Sequence, residues 1–358
     1  MSSVATTTLP AASEHDVDRP LRTLVVTNLF PTSAAPTTGT FVADQVASLR
    51  TAGVAVELLH VPRREGGPGV YRDLARRAVE VVERTSPDVV HVMYGGVMAD
   101  VVTRTVRNVP VLVSFCGTDL LGGRGRGLVH GLSRRYGVVA SRRAAARAAG
   151  VVVKSRNLSD ALPASVDRSR VWIVPNGVNL ERFQPRDKEE CRSRLGWTTT
   201  RTNVLFPGAP ERPEKRFELA QACIAQLRAE RHDVGLKALA GVDPEAVATW
   251  LNAADVVLLT SAHEGSPNVV KEALACNVPV VSVDVGDVSE RLAGIEGCAV
   301  AEPTASDLAR NVLAALAHGR LKTGRERVAE LSLERVAAEL ARIYAMLAGS
   351  RGLQRTAT

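Results

Sequence analysis

A chain of 358 residues is too long for one ordinary domain and long enough for two, each with its own core. Hydrophobic residues make up 45% and charged residues 23%, which excludes wholesale disorder, and 4% aromatics leave the cores to Ala, Val and Leu. The net charge of +7 is gathered in one half: residues 1–176 carry 22 basic and 14 acidic side chains, and the rest of the chain is close to neutral.

Residues 1–20 contain no apolar stretch of signal-peptide length and read as a disordered tail. Short β-branched runs then alternate with longer helical stretches, the pattern of parallel α/β architecture. Strands are expected at 21–29, 54–60, 88–93, 109–115, 150–153 and 171–174, and helices at 40–50, 71–84 and 133–149. The pattern then restarts, with strands at 203–206, 255–259 and 279–283 and helices at 216–229, 267–276, 306–318 and 332–347. The expected fold is therefore two doubly wound parallel-sheet domains, 21–183 and 202–331. Polar residues 184–201 link them, 332–348 form a helix able to pack back across the domains, and 349–358 form a tail. Two such domains in series place a crevice between their strand C-termini, where folds of this kind bind ligands. No run of eighteen apolar residues occurs, so no segment is expected to span a bilayer. The five cysteines are scattered, which points to reduced thiols in the cytoplasm and away from zinc.

The most informative stretch is 252–283. A buried strand runs into a turn with Gly265 and Ser266, and a helix opens behind Pro267, which suits a first helical turn. The amides of Asn268, Val269 and Val270 then form a helix N-terminus suited to a diphosphate. Glu264 and Glu272 flank the turn with seven residues between them; Glu272 is placed to accept hydrogen bonds from a ribose diol, or is simply a surface helix glutamate. After the first strand of the second half, FPGAPERPEK brings Arg212 and Lys215 to a glycine turn, where two cations can neutralise a leaving pyrophosphate or form a solvated charged loop. Gly39 stands where the first helix begins, in a long loop of small residues open to donor or acceptor. Cys116 and Asp119 follow the fourth strand and point at the same crevice, although Asp119 also fits a helix N-cap.

The arginines at 124, 126, 134, 135, 142, 143 and 147 mark either a solvated helix or a surface that meets an anionic membrane. With no recognised nucleic-acid motif in the chain, nucleic acid is not an expected partner. There is no P-loop, no G-x-G-x-x-G, no G-x-S-x-G, and the one early D-x-D lies in the tail, so neither a nicotinamide cofactor nor a metal is expected.

With these residues identified, the chain resembles the retaining glycosyltransferases of family 4, which have the GT-B fold, over roughly 21–348. EGSPNVVKEALACNVPVV matches the family's E-x7-E element, VPNGVNLERFQP its interdomain signature, and NAADVVLLTS and VDVGDVSE also match. The wording is most similar to the teichuronic-acid and surface-polysaccharide type. The resemblance implies a nucleotide-diphosphate sugar held mainly by the C-terminal domain and a hydroxyl acceptor (glycan, lipid-linked or small molecule) held mainly by the N-terminal one. It implies Glu264 near the reacting carbon of the donor sugar, Glu272 on the ribose, and Arg212 and Lys215 on the diphosphate beside the Asn268–Val270 amides. Gly39 falls in the loop covering donor phosphate and acceptor, and Cys116 and Asp119 lie on the sugar side. Transfer with retention and without metal is implied, in the cytoplasm and at its membrane face if the arginines dock there.

Three departures stand out. The family's Gly-Arg is here Gly208–Ala209, with Arg212 three residues before Lys215; Cys116 replaces a histidine; and 227–250 has room for about one strand where two are usual. A nucleotide-sugar epimerase on the same fold and a non-catalytic nucleotide-sugar binder are the alternative functions.

Overall fold

A computed structural model describes residues 19–122, 128–230 and 232–355. The expected tail at 1–18, Arg124 and Arg126, and the final three residues lie outside the described residues. Two parallel sheets form the frame. The first contains β1 (Arg22–Thr27), β2 (Ala55–His60), β3 (Val89–Met93), β4 (Val111–Phe115), β5 (Gly150–Val153) and β6 (Val171–Ile173), in the order β2-β1-β3-β4-β5-β6. The second contains β7 (Thr202–Phe206), β8 (Val234–Ala238), β9 (Val256–Leu259), β10 (Val280–Val283) and β11 (Ala299–Ala301), in the order β11-β10-β9-β7-β8. Every strand pairing is parallel. Helices cover both faces, which is why central strands such as β3, β4 and β9 are buried along their whole length and read as largely apolar runs.

The sequence pattern does not reveal β8 and β11. Both are edge strands: β8 carries Gly235 and Lys237, and β11 is three residues long, so neither shows the apolar run of a central strand. The single strand β8 is what 227–250 has room for.

The stretch expected as a linker is built into the second domain. Helix Lys188–Leu195 is capped by Asp187, whose side chain accepts from the Glu190 amide at 2.7 Å, and ends on Gly196 in the left-handed region. Cys191 and Trp197 belong to the second core. Arg192 is buried beside them, and its guanidinium reaches Asp255 at 2.5 Å, while Asp255 also accepts from the Asn203 amide at 2.7 Å. A helix that buries a cysteine and an arginine has no apolar stripe to betray it.

The C-terminal helix, Leu333–Arg355, runs beyond the expected end at 347, so residues 349–355 continue it. Its Val336, Leu340, Ile343 and Tyr344 pack on Leu49, Val89, Leu112 and Val152 of the first domain. There the Tyr344 hydroxyl meets His91 Nδ1 at 2.5 Å, and His91 Nε2 meets Ser114 Oγ at 2.7 Å. The chain therefore returns to its first domain after completing its second. No helix among the described residues is long and apolar enough to cross a membrane.

Candidate active site

The two domains touch where the loop after β4 meets the loop after β9. A Cβ on Gly265 would lie 2.2 Å from the Cys116 carbonyl oxygen, and one on Gly117 would lie 3.2 Å from the Gly265 nitrogen. Only glycine permits this approach. Next to Gly265, Glu264 Oε1 accepts from Lys215 Nζ at 2.6 Å. Lys215 is held there from behind: the Thr260 hydroxyl donates to its carbonyl at 2.8 Å, and Arg216, at φ 51°, reaches back to the Thr260 and Ser261 carbonyls at 2.5 and 3.1 Å. The lysine stem crosses the face of Gly208 at 3.2 Å from where a Cβ would sit.

The helix Asn268–Ala275 opens behind Pro267, as the sequence indicates. The Val270 amide is already bonded to the Pro267 carbonyl at 3.2 Å, so the donors left at this N-terminus are those of Asn268 and Val269. The Ser266 hydroxyl is also committed, to Asp287 at 2.8 Å and to Lys271 at 3.2 Å. Lys271, which the sequence did not single out, is fully buried; its ammonium also donates to the Asn176 carbonyl at 2.9 Å, tying the interdomain segment to the donor turn. Burial, opposed by Asp287, pulls its pKa down to about 8. A lysine at an inward position of an otherwise apolar helix was the available signal.

Glu272 lines a cavity of about 260 Å³ together with Asn268, Asp44, Arg182, Leu239 and Val247. Burial pushes its carboxyl up to about 7, so the site holds a carboxylate that lacks a strong partner. The bend into this cavity from the first domain is Gly39, at φ 70°, where a Cβ would collide with the Leu29 carbonyl carbon at 2.3 Å. It opens the helix Thr40–Thr51, whose first turn adds Thr40 and Asp44 to the wall.

Two of the expected site residues have their polar atoms already engaged within the protein. Asp119 does not offer a free carboxylate to the crevice: its two oxygens accept from the amides of Gly95 (2.8 Å), Cys116 (3.1 Å) and Gly117 (2.7 Å), stitching the loops after β3 and β4 together. Arg212 donates to Glu214 at 2.6 and 2.9 Å and lines a second, larger cavity of about 540 Å³. The Cys116 thiol is a poor nucleophile, since burial and the Asp119 charge push it up to about 12. Lys154, at the end of β5, is fully buried, and its ammonium has no hydrogen-bond partner among the described residues. No cluster of three or more metal-ligating side chains occurs among them either.

The comparisons with known proteins agree with this architecture. A family model described as glycosyl transferase 4-like domain matches residues 11–177, and one described as glycosyl transferases group 1 matches 203–318. The putative teichuronic acid biosynthesis glycosyltransferase TuaC of Bacillus subtilis is 28% identical over 334 residues, covering 75% of this chain and 82% of the relative. The structure of sucrose-phosphate synthase from Thermosynechococcus elongatus superposes with a TM-score of 0.76 at 18% identity, covering 93% of this chain and 100% of that one. Anabaena Alr3699/HepE, solved in complex with UDP-glucose, gives a TM-score of 0.58 at 15% identity over 94% of this chain and 100% of its own. At those identities the two superpositions speak for the fold, and the two matched models speak for the family. The chain belongs to the group 1, family 4-like glycosyltransferases, built on the GT-B fold.

Proposed function

We propose that the chain transfers a glycosyl unit from a nucleotide-diphosphate sugar to an acceptor hydroxyl, with retained configuration and without a metal ion, in the assembly of a surface glycan or glycolipid. The observation that carries the donor is the run from Lys215–Glu264 through the Asn268 helix N-terminus to the Glu272 cavity. These supply, in order, a cation from the turn after β7, then backbone amides and a diol acceptor from the strand–turn–helix that starts at β9. Lys154 adds support: a buried ammonium without a partner is costly, and a ligand oxygen would relieve it. The UDP-glucose bound by HepE and the name of TuaC favour the same donor class and pathway type.

Glu264 is paired with Lys215, which blunts it as a nucleophile, and the Asp119 carboxylate is occupied. We therefore favour attack by the acceptor oxygen on the face the diphosphate leaves. The bond from the anomeric carbon to phosphate oxygen breaks, the bond to the acceptor oxygen forms, and the acceptor proton passes to the departing phosphate. Lys215 and the Asn268 and Val269 amides oppose the charge that develops there.

A peripheral contact with anionic membrane is proposed for the helix Leu128–Arg147. Leu132 and Tyr136 are 65% and 55% exposed, Val139 follows on the same face, and Arg135, Arg142 and Arg143 are exposed beside them.

The test is incubation of the purified chain with a panel of UDP- and GDP-sugars, with and without glycan acceptors and a chelator. The expected result is acceptor-dependent release of nucleoside diphosphate, a product of unchanged anomeric configuration, and no loss with chelator. Epimerised sugar from donor alone would favour the epimerase, and tight binding without turnover the non-catalytic binder.

A further inference from the structure

The 540 Å³ cavity opens between the domains and is lined mostly by the first. The chain has four tyrosines, and three of them, Tyr71, Tyr94 and Tyr136, face it. Tyr94 is held there at a cost: its φ is 95°, a region unfavourable to a bulky side chain, and its hydroxyl is fixed by Thr118 Oγ1 at 2.8 Å. Asn28, on the same wall, donates through Nδ2 to the Tyr71 hydroxyl at 3.4 Å. Its Oδ1 is buried with no hydrogen-bond partner among the described residues, an acceptor waiting for a hydroxyl.

The charge of this cavity is lopsided. Arg63, Arg134 and Arg212 line it, with Asp119 and Glu214 as the acidic side chains among the described residues. Both Asp119 oxygens turn to three backbone amides and Glu214 is bonded to Arg212, so three guanidiniums stand against two carboxylates that are already engaged. Guanidiniums in this excess recognise phosphate or carboxylate, and the apolar faces of tyrosines accept the flat side of a ring.

We propose that this cavity binds the acceptor, and that the acceptor is a polyhydroxylated ring bearing an anionic substituent, phosphate or carboxylate. The ring lies against Tyr94 and its neighbours, a hydroxyl meets Asn28 Oδ1, and the anion meets Arg63 and Arg212. Arg212 thereby serves the acceptor rather than the donor diphosphate. That the ligand is an acceptor rests on the glycosyl-transfer reading; its ring and its charge rest on the cavity alone.

Binding separates the two. Calorimetric titration of the full chain with glucose 6-phosphate, glucuronate, glucose and inorganic phosphate is expected to show one of the anionic sugars at least about tenfold tighter than glucose and than phosphate alone. The stronger of the two names the anion. Arg63→Gln and Arg212→Gln are expected to abolish the preference while leaving UDP affinity unchanged. Equal affinity for charged and neutral sugars, phosphate binding as well as the sugar phosphate, or no sugar binding at all would overturn the proposal. So would an Arg212→Gln variant that weakens UDP and spares the anionic sugar. Failure to bind UDP with the anionic preference intact would instead sink the transfer reading and leave the cavity's ligand standing.

Discussion

The two cavities beside the domain contact are built in different ways. The smaller is framed by the ends of regular elements close to the E-x7-E segment, with Asn268 and Glu272 on the first turns of one helix and Thr40 and Asp44 on those of another. The larger is framed by side chains far apart in sequence, from Asn28 to His263, with Arg134 and Tyr136 of the helix Leu128–Arg147 among them. One turn joins them, since His263 lines the larger and Asn268 the smaller, with Glu264 between. A half assembled from helix termini tolerates little variation, because backbone amides and a left-handed glycine shape it. A half lined by tyrosine and arginine side chains can change its ligand one side chain at a time. On the proposed reading the first holds the donor and the second the acceptor, with the Lys215–Glu264 pair at the turn between them.

The sharpest way to break that division is Lys215→Ala. If the lysine opposes charge on the leaving diphosphate, turnover falls by about 10²–10³-fold, the loss seen when a single preorganised charge donor is removed. Acceptor KM should stay within about twofold, because Lys215 does not line the larger cavity. Steady-state kinetics with both substrates varied decides this, and thermal melting checks the fold. A rise confined to acceptor KM would mean the two halves are not separate.

Gly265→Ala tests the joint itself. The new Cβ would meet the Cys116 carbonyl at 2.2 Å, and backbone cannot yield as a side-chain tip can. The loops must part, and a displacement of about an ångström between donor and acceptor costs about 10- to 100-fold in kcat/KM. Binding of each ligand measured singly should change far less, since both cavities keep their own walls. Equal losses in both affinities would show that closure, not alignment, is what the glycine serves.

The same contrast explains what was legible in the sequence. The strand–turn–helix at 252–283 could be read because each part leaves a local mark: an apolar strand, small residues, a proline at the helix start. In the structure Lys215 reaches Glu264 at 2.6 Å, and Glu272 lines the smaller cavity one helix turn past the N-terminus. Lys271, Lys154 and Asn176 were not legible, because their roles arise from burial against residues up to 95 positions away. Asp119 lines the larger cavity from the expected loop, while the three backbone amides that hold its oxygens carry no mark in the sequence. Helix Lys188–Leu195 looked like a linker because its buried arginine is matched by Asp255, a pairing visible only in three dimensions. Tyr71, Tyr94 and Tyr136 carry no spacing that announces a common cavity.

The smallest effect expected concerns pH. Burial raises the Glu272 carboxyl to about 7, above its value in an unfolded chain. Between about pH 4.5 and 7 the folded, ligand-free protein therefore binds the proton more tightly than the unfolded one, and stability contributed by this group falls as pH rises through that window. Ribose hydroxyls donating to Glu272 require the ionised form, so nucleotide binding must expel that proton below pH 7 and need not above it. UDP affinity should climb by about tenfold per unit of pKa depression on binding as pH rises from about 5.5 to about 7.5, then level off. In Glu272→Gln the slope should vanish, with affinity at about pH 7.5 reduced and affinity at about pH 5.5 nearly unchanged. Calorimetric titrations at three pH values measure this directly. An identical slope in the variant would assign the proton to Asp44, which faces the same cavity and is also raised by burial, and the diol would then be read from the first domain rather than the second.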